Sequence, residues 1–262
     1  MSFGRKSFLA LALSLGLSLG AYAAASAGDH GEKSHHGSHW TYEGEGGPAH
    51  WGELSGDYAV CSQGKSQSPI DISGTQADNV EDVEFVYDTS KINILNNGHT
   101  VQVNYDEGSS ITVDGVDYHL LQFHFHTPGE HTVGGKSFDT ELHLVHKNDA
   151  GELAVVGVLI EKGAENEAFN DMWAHLPEHA GDKETLAAEV NAEDLLPLDR
   201  SSFRYTGSLT TPPCSENVTW IVLKSPIQLS GAQIDALHAI LNDNNRPVQP
   251  VNARKVISDT AN

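Results

Sequence analysis

From Lys91 to Ile160 the chain runs in short apolar-rich stretches broken by turn signals, several of them alternating apolar and polar residues with period two. Lys91 to Leu95, Thr100 to Tyr105, Ser110 to Val113, His119 to His126, Thr140 to His146 and Leu153 to Ile160 are rich in β-branched and aromatic residues. Asn-Gly, Asp-Glu-Gly, Asp-Gly and Asn-Asp-Ala-Gly sequences separate them, which is how half-buried strands joined by tight turns read. Helical periodicity is confined to Glu165 to Leu176, Lys183 to Asn191 and Gly231 to Asn242, the last with Ser230 as its N-cap. The predicted class is predominantly β, a large and mainly antiparallel sheet with small peripheral helices. No internal repeat, later charge block or Pro/Gly/Ser linker divides the chain, so a single domain is expected.

The N-terminus has a different pattern. Arg5 and Lys6 precede an apolar run from Phe8 to Ala21, and small residues follow, ending in Ala21-Tyr22-Ala23 or Ala25-Ser26-Ala27. This is the form of an export signal over residues 1–27, too short for a comfortable membrane span. The mature chain is therefore expected in the periplasm or secreted, free of the membrane once the signal is removed. Residues 28–39 are polar and carry His30, His35, His36 and His39 with no apolar face to bury, so a flexible segment is expected there.

Composition narrows the chemistry. The 262 residues are 39% apolar, enough for a core, and the net charge is -21, which repels phosphate backbones and excludes nucleic acid as a partner. Cys61 and Cys214 both lie in the exported part, where they form either one long-range bridge or two buried thiols. Fifteen histidines make a metal site worth seeking.

Two strands gather the candidates. In Leu121-Gln122-Phe123-His124-Phe125-His126, alternation puts Gln122, His124 and His126 on one face and both phenylalanines on the other. In Thr140-Glu141-Leu142-His143-Leu144-Val145-His146 it groups Glu141, His143 and Val145. If the strands are neighbours, three neutral imidazoles converge and leave a fourth tetrahedral position open, the pattern of a catalytic zinc, with cobalt or iron also admitted by the ligands. Gln122 and Glu141 each lie two residues before a candidate ligand on the same face, placed to accept its second ring N–H.

These residues sit in a wider resemblance. Phe123-His124-Phe125-His126, Glu130-His131-Thr132-Val133, Glu141-Leu142-His143-Leu144-Val145-His146 and Gly207-Ser208-Leu209-Thr210-Thr211-Pro212-Pro213-Cys214 resemble the motifs of the exported bacterial α-class carbonic anhydrases. The likeness extends from about Trp40-Thr41-Tyr42 through Ser66-Gln67-Ser68-Pro69-Ile70-Asp71-Ile72 and Asn96-Asn97-Gly98-His99 to Asn245-Arg246-Pro247, so it spans residues 40–262 as one catalytic domain. It implies a twisted sheet of about ten strands and reversible hydration of carbon dioxide to bicarbonate and a proton. His124, His126 and His143 would hold one Zn2+ per chain, with Gln122 and Glu141 behind them. Thr210 and Glu130 would orient the attacking oxygen, and His99 would shuttle the proton. Val145, Val155, Leu209 and Trp220 would form the apolar wall for carbon dioxide, and Thr211 would face bicarbonate. By the same resemblance Cys61 and Cys214 pair as a disulfide, sulfonamides and anions inhibit, and a homodimer is admitted, though no sequence feature supplies its interface.

Departures and rivals bound the reading. Thr127-Pro128-Gly129 is a shorter connection than in the animal enzymes, and Asn244-Asn245 stands where many relatives carry Trp. A cupin-like metal site would want glycines where Tyr118 and Ser137 stand. A catalytically weak periplasmic zinc-binding protein on the same fold is the alternative, distinguished by release of its metal under mild competition.

Overall fold

The computed structural model describes residues 39–259, so the expected signal peptide and all of the His-rich segment except His39 lie outside the described residues. Its strands are β1 (Asp71–Ile72), β2 (Gln76–Asp78), β3 (Glu84–Val86), β4 (Thr89–Asn96), β5 (Val101–Asn104), β6 (Ser110–Val113), β7 (Val116–His126), β8 (Thr132–Val133), β9 (Thr140–Lys147), β10 (Leu153–Lys162), β11 (Lys183–Asn191), β12 (Ser202–Ser208), β13 (Glu216–Leu229) and β14 (Ile257–Asp259). Twelve of them form one sheet along the path β11-β4-β5-β7-β9-β10-β13-β12-β14-β2, with β6 beside β7 and β3 beside β6. Most pairings are antiparallel; β10 with β13, β14 with β2, and the separate pair β1 with β8 run parallel. The helices are α1 (Trp51–Leu54), α2 (Val60–Gln63), α3 (Asn170–Trp173) and α4 (Gly231–Leu241). Among the described residues no helix is long and apolar enough to cross a membrane.

Two helical expectations change. Lys183 to Asn191 is the edge strand β11, paired with β4. Its buried residues, Leu186 and Val190, are four apart, a spacing that satisfies both a helical turn and two strand repeats; pairing with the sheet decides between them. Glu165 to Leu176 shrinks to a 3-10 turn, Glu167–Phe169, followed by α3. Pro177 disfavours helical backbone at Leu176 and so limits the segment. Helix α4 forms as expected, with the Ser230 side chain and Gln233 closing a reciprocal capping box.

The sheet separates two apolar layers. Phe123 and Phe125 of β7, Leu142 and Leu144 of β9, Val156 and Val158 of β10 and Ile221 and Leu223 of β13 enter the larger core on one face. On the other face Val155, Trp220, Val222 and Tyr205 form a smaller cluster with Ile70, Ile72 and Phe138. Alternation within each strand thus gives this second face its mixture of greasy and polar positions.

Candidate active site

Register builds the site. Across the second face His124 lies opposite His143, and His143 opposite Gly157. One pleat away, Gln122, Val145, Val155, Trp220 and Tyr205 form a parallel row across five strands. Two residues along a strand are about 7 Å, so the apolar row borders the histidine row directly. Val155 and Trp220 are buried, and Val145 and Leu209 pack partly buried in the same cluster. The four residues expected of an apolar wall therefore come together, and the Trp220 indole stands edge-on to His143, 4.9 Å between ring centroids.

The three histidines converge, each with one ring nitrogen already engaged. His124 Nδ1 is 2.9 Å from Gln122 Oε1, His143 Nε2 is 2.8 Å from Glu141 Oε1, and His126 Nδ1 is 2.7 Å from the Asn244 carbonyl. The remaining nitrogens are His124 Nε2, His126 Nε2 and His143 Nδ1. His126 Nε2 is buried with no hydrogen-bond partner among the described residues, a cost that a lone pair facing a cation would remove. One ligand atom from each of the three histidines lies within 4.8 Å of the others, and His124 keeps partial exposure, so one side of the cluster is open. Burial, reinforced for His124 by its two neighbours, lowers all three from the ordinary imidazole range, His126 to about 4. All are then neutral at pH 7, the form that binds metal. These observations fit a divalent metal with an open fourth position.

His131, Glu141 and His143 also fall close together, but they are consumed by one another. Glu141 Oε1 accepts from His131 Nδ1 at 2.6 Å as well as from His143, and Oε2 accepts from the backbone N–H of Glu130 and of His131. Burial would raise this carboxyl; His131 and His143 outweigh it and hold Glu141 well below the usual range. His131 Nε2 continues at 2.6 Å to the Tyr205 hydroxyl, which is 2.8 Å from Ser68 Oγ. Gly207 makes that contact feasible, because a Cβ there would sit 2.2 Å from Ser68 Oγ.

Glu130 is the other buried acid. Its Oε1 accepts the Arg246 backbone N–H at 2.8 Å, and Oε2 lies 3.6 Å from His126 Nε2 and 3.9 Å from His143 Nδ1. Burial raises it to about 7, against the lowering effect of His143, of the Arg246 amide and of a hydrogen bond from Thr210. Thr210 and Thr211 sit in the β12–β13 loop, which is tied by Leu209 N to Ser215 O and by Cys214 N to Thr211 O. Cys61 and Cys214 form a disulfide with Cα atoms 5.0 Å apart.

His99 lies between β4 and β5, where Gly98 adopts φ +89° and Asn97 Oδ1 accepts the N–H of both His99 and Thr100. Its ring stacks on Trp40, centroids 3.6 Å apart.

The model of the eukaryotic-type carbonic anhydrase family matches residues 46–260. The chain belongs to the α-carbonic anhydrase family. A carbonic anhydrase of Klebsiella pneumoniae is 49% identical over 223 residues, covering 84% of this chain and 91% of that protein. One from Nostoc is 45% identical over 83% of this chain and 85% of its own length. The α-carbonic anhydrase of Thermovibrio ammonificans, solved with the inhibitor sulfanilamide, superposes with TM-score 0.83 at 45% identity, covering 85% of this chain and all of that one. The chain is thus an enzyme whose family chemistry is carbon dioxide hydration.

Four residues of this enzyme's site had no role in the sequence reading. Asn244 gives His126 its acceptor and also donates from Nδ2 to His99 O and Phe125 O. A backbone carbonyl acceptor leaves no sequence signal. His131, Tyr205 and Arg246 are likewise tied in by contacts of long sequence separation; His131 and Arg246 fall within the motifs that carry the resemblance, and Tyr205 does not.

Proposed function

We propose that the enzyme hydrates carbon dioxide reversibly to bicarbonate and a proton at one zinc ion per chain, held by His124 Nε2, His126 Nε2 and His143 Nδ1. The observation that carries this is the set of three uncharged imidazoles whose other nitrogens are all engaged, leaving three lone pairs beside one open side. When bound, zinc in such a set supplies a Lewis acid that brings the pKa of a water to roughly 7, a value for which carbonic anhydrase itself is the standard example.

The chain's own groups do the remainder. Glu130, fixed by the Arg246 amide, receives the Thr210 hydroxyl hydrogen. Thr210 is then left with acceptor lone pairs for the attacking oxygen, which directs that oxygen's own lone pair at the substrate. Val145, Val155, Leu209 and Trp220 exclude water where the uncharged substrate waits, and Thr211 faces the product. His99, a side chain that exchanges protons near neutral pH, carries the released proton outward.

Residues 40–262 form the catalytic domain, and residues 1–27 export it to the periplasm or medium, where the disulfide persists. Sulfonamides, as in the Thermovibrio ammonificans complex, and small anions inhibit at the same cleft.

The test is stopped-flow hydration of carbon dioxide by the purified chain, before and after a chelator. Activity is expected to vanish on metal removal and return with zinc; turnover that survives complete metal removal overturns the proposal.

A further inference from the structure

Arg246 is a buried cation that the mechanism uses only through its backbone. It is 1% exposed, and burial lowers it only to about 10, so it keeps its charge at pH 7. Its partners are three neutral oxygens. Nη1 donates to Gln67 Oε1 at 2.9 Å and to the Ser68 carbonyl at 2.8 Å, and Nη2 donates to the Cys61 carbonyl at 2.8 Å. Nε is buried with no hydrogen-bond partner among the described residues, and the guanidinium lies over the Trp51 ring, 5.6 Å from its centroid. Taking a cation out of water for such partners costs free energy that an apolar side chain of similar volume avoids, so stability alone does not account for it. We propose that the Arg246 side chain is a positioning residue for Glu130, holding that carboxyl to the same Gln67–Ser68 anchor that holds the strand leading to Thr210. This rests on the reading of Glu130 as the acceptor of the Thr210 hydroxyl hydrogen.

Three observations carry it. First, both ends of Arg246 are committed. Its backbone N–H donates to Glu130 Oε1 at 2.8 Å while its guanidinium grips residues 61, 67 and 68, so a shift of the side chain moves the amide against which Glu130 rests. Second, the joint between the two ends is stiff, because Pro247 keeps the Arg246 backbone out of the helical region. Third, the Thr210 side has the same reference. Ser68 N donates to Ser208 Oγ at 2.9 Å and Ser208 N to Ser68 Oγ at 3.0 Å, at the end of β12 and two residues before Thr210. Gln67 Nε2 donates to the Cys214 carbonyl on the far side of the loop. Carboxyl and hydroxyl, carried by segments distant in sequence, are thus both located from residues 67 and 68.

The loop that carries Arg246 has other ties, from Asn244 N to Thr127 O and from Gln249 N to Pro69 O. If these alone fix the Arg246 amide, the guanidinium only fills space. The two accounts differ at the Thr210 hydroxyl. With Glu130 in place, that hydroxyl presents lone pairs, which favour a ligand carrying a hydrogen and oppose one without. With Glu130 displaced, the hydroxyl is free to donate, and the preference reverses.

The test uses the zinc-loaded full chain and compares wild type, Arg246→Met, Arg246→Lys, Thr210→Ala and the Arg246→Met/Thr210→Ala double variant. The readouts are kcat/KM for carbon dioxide hydration, zinc content and, by titration calorimetry, affinity for azide and for sulfanilamide. Arg246→Met is expected to hold its zinc and to lose about tenfold in kcat/KM, since misplacement of an oriented group by about 1 Å is enough for such a loss. It is expected to bind azide, which has no hydrogen, several-fold more tightly, and sulfanilamide, whose deprotonated nitrogen keeps one, several-fold more weakly. Loss of packing alone weakens both ligands together. Arg246→Lys keeps the charge but not the fork that spans Cys61 and Ser68, and is expected to show the same pattern at about threefold. Where Arg246→Met does not fold, this variant decides, and its equivalence to wild type overturns the proposal. The double variant is expected to be no slower than Thr210→Ala, because Arg246 acts only through that hydroxyl. Unchanged kcat/KM in a folded Arg246→Met, azide and sulfanilamide weakened together, or losses that multiply in the double variant overturn the positioning role and leave the reading of Thr210 intact. Wild-type kcat/KM in Thr210→Ala overturns both.

Discussion

Glu141 Oε1 lies 2.8 Å from His143 Nε2, and this contact decides which nitrogen of His143 turns toward His124 and His126. With the ring proton at Nε2, the Nδ1 lone pair is the one presented to the cluster. Glu141→Gln removes the charge and replaces one acceptor oxygen by an amide donor, although Oε2 now receives two backbone N–H groups. Zinc affinity is expected to fall by roughly 10- to 100-fold, read by competition with a chelator of known affinity. An unchanged dissociation constant would show that Glu141 only fills space.

Thr210→Ala removes a hydroxyl that acts to lower the Glu130 carboxyl against its burial. Hydration turnover is expected to drop by about 2 to 3 kcal/mol of barrier, with zinc content unchanged. Wild-type turnover in this variant contradicts the orienting role.

How much of this was legible beforehand follows from which information is local. The face assignments of His124, His126 and His143 are period-two facts written in two short runs, of six and of seven consecutive residues, and β7 and β9 place them as that period requires. Lys183 to Asn191 misled because Leu186 and Val190 fit either period, and only the neighbouring β4 resolves it. Asn244 and Tyr205 were invisible because their contacts to His126 and His131 span 118 and 74 residues. The motif likeness supplied Thr210 and Glu130, whose pairing no local pattern announces.

Acid lability has an assignable source in His146, which lies opposite Leu120 and Ala154 with its Nε2 2.8 Å from the Tyr87 hydroxyl. Burial pushes it down to about 3. Because the unfolded imidazole takes its proton near 6.5, the folded state is undisturbed above that pH and loses stability as pH falls from about 6.5 toward 3. Urea unfolding at pH 7 and pH 5 is expected to show a loss about 2 kcal/mol smaller in His146→Gln than in wild type. Parallel losses in the two proteins contradict this.

The disulfide joins residues 153 apart in sequence, and its neighbours lead to the loop that carries Thr210 and Thr211. Gln67 Nε2 donates to Cys214 O, Arg246 Nη2 donates to Cys61 O, and Cys214 N donates to Thr211 O. On the chain-entropy model so long a closure stabilises by at most about 4 to 5 kcal/mol. Reduction is expected to lower the thermal midpoint at reductant levels that still leave activity at 25 °C, with activity lost next as the Thr210 loop loosens. A midpoint indifferent to reduction would contradict the clamp.

The most direct measurement is of zinc content and carbon dioxide hydration together on His143→Ala, beside wild type. Two imidazoles cannot close the site on three sides, so the wild-type chain should hold one zinc and turn over, while the variant should hold little metal and show no hydration above background. A His143→Ala protein that keeps both near-stoichiometric zinc and its activity would contradict the three-histidine centre.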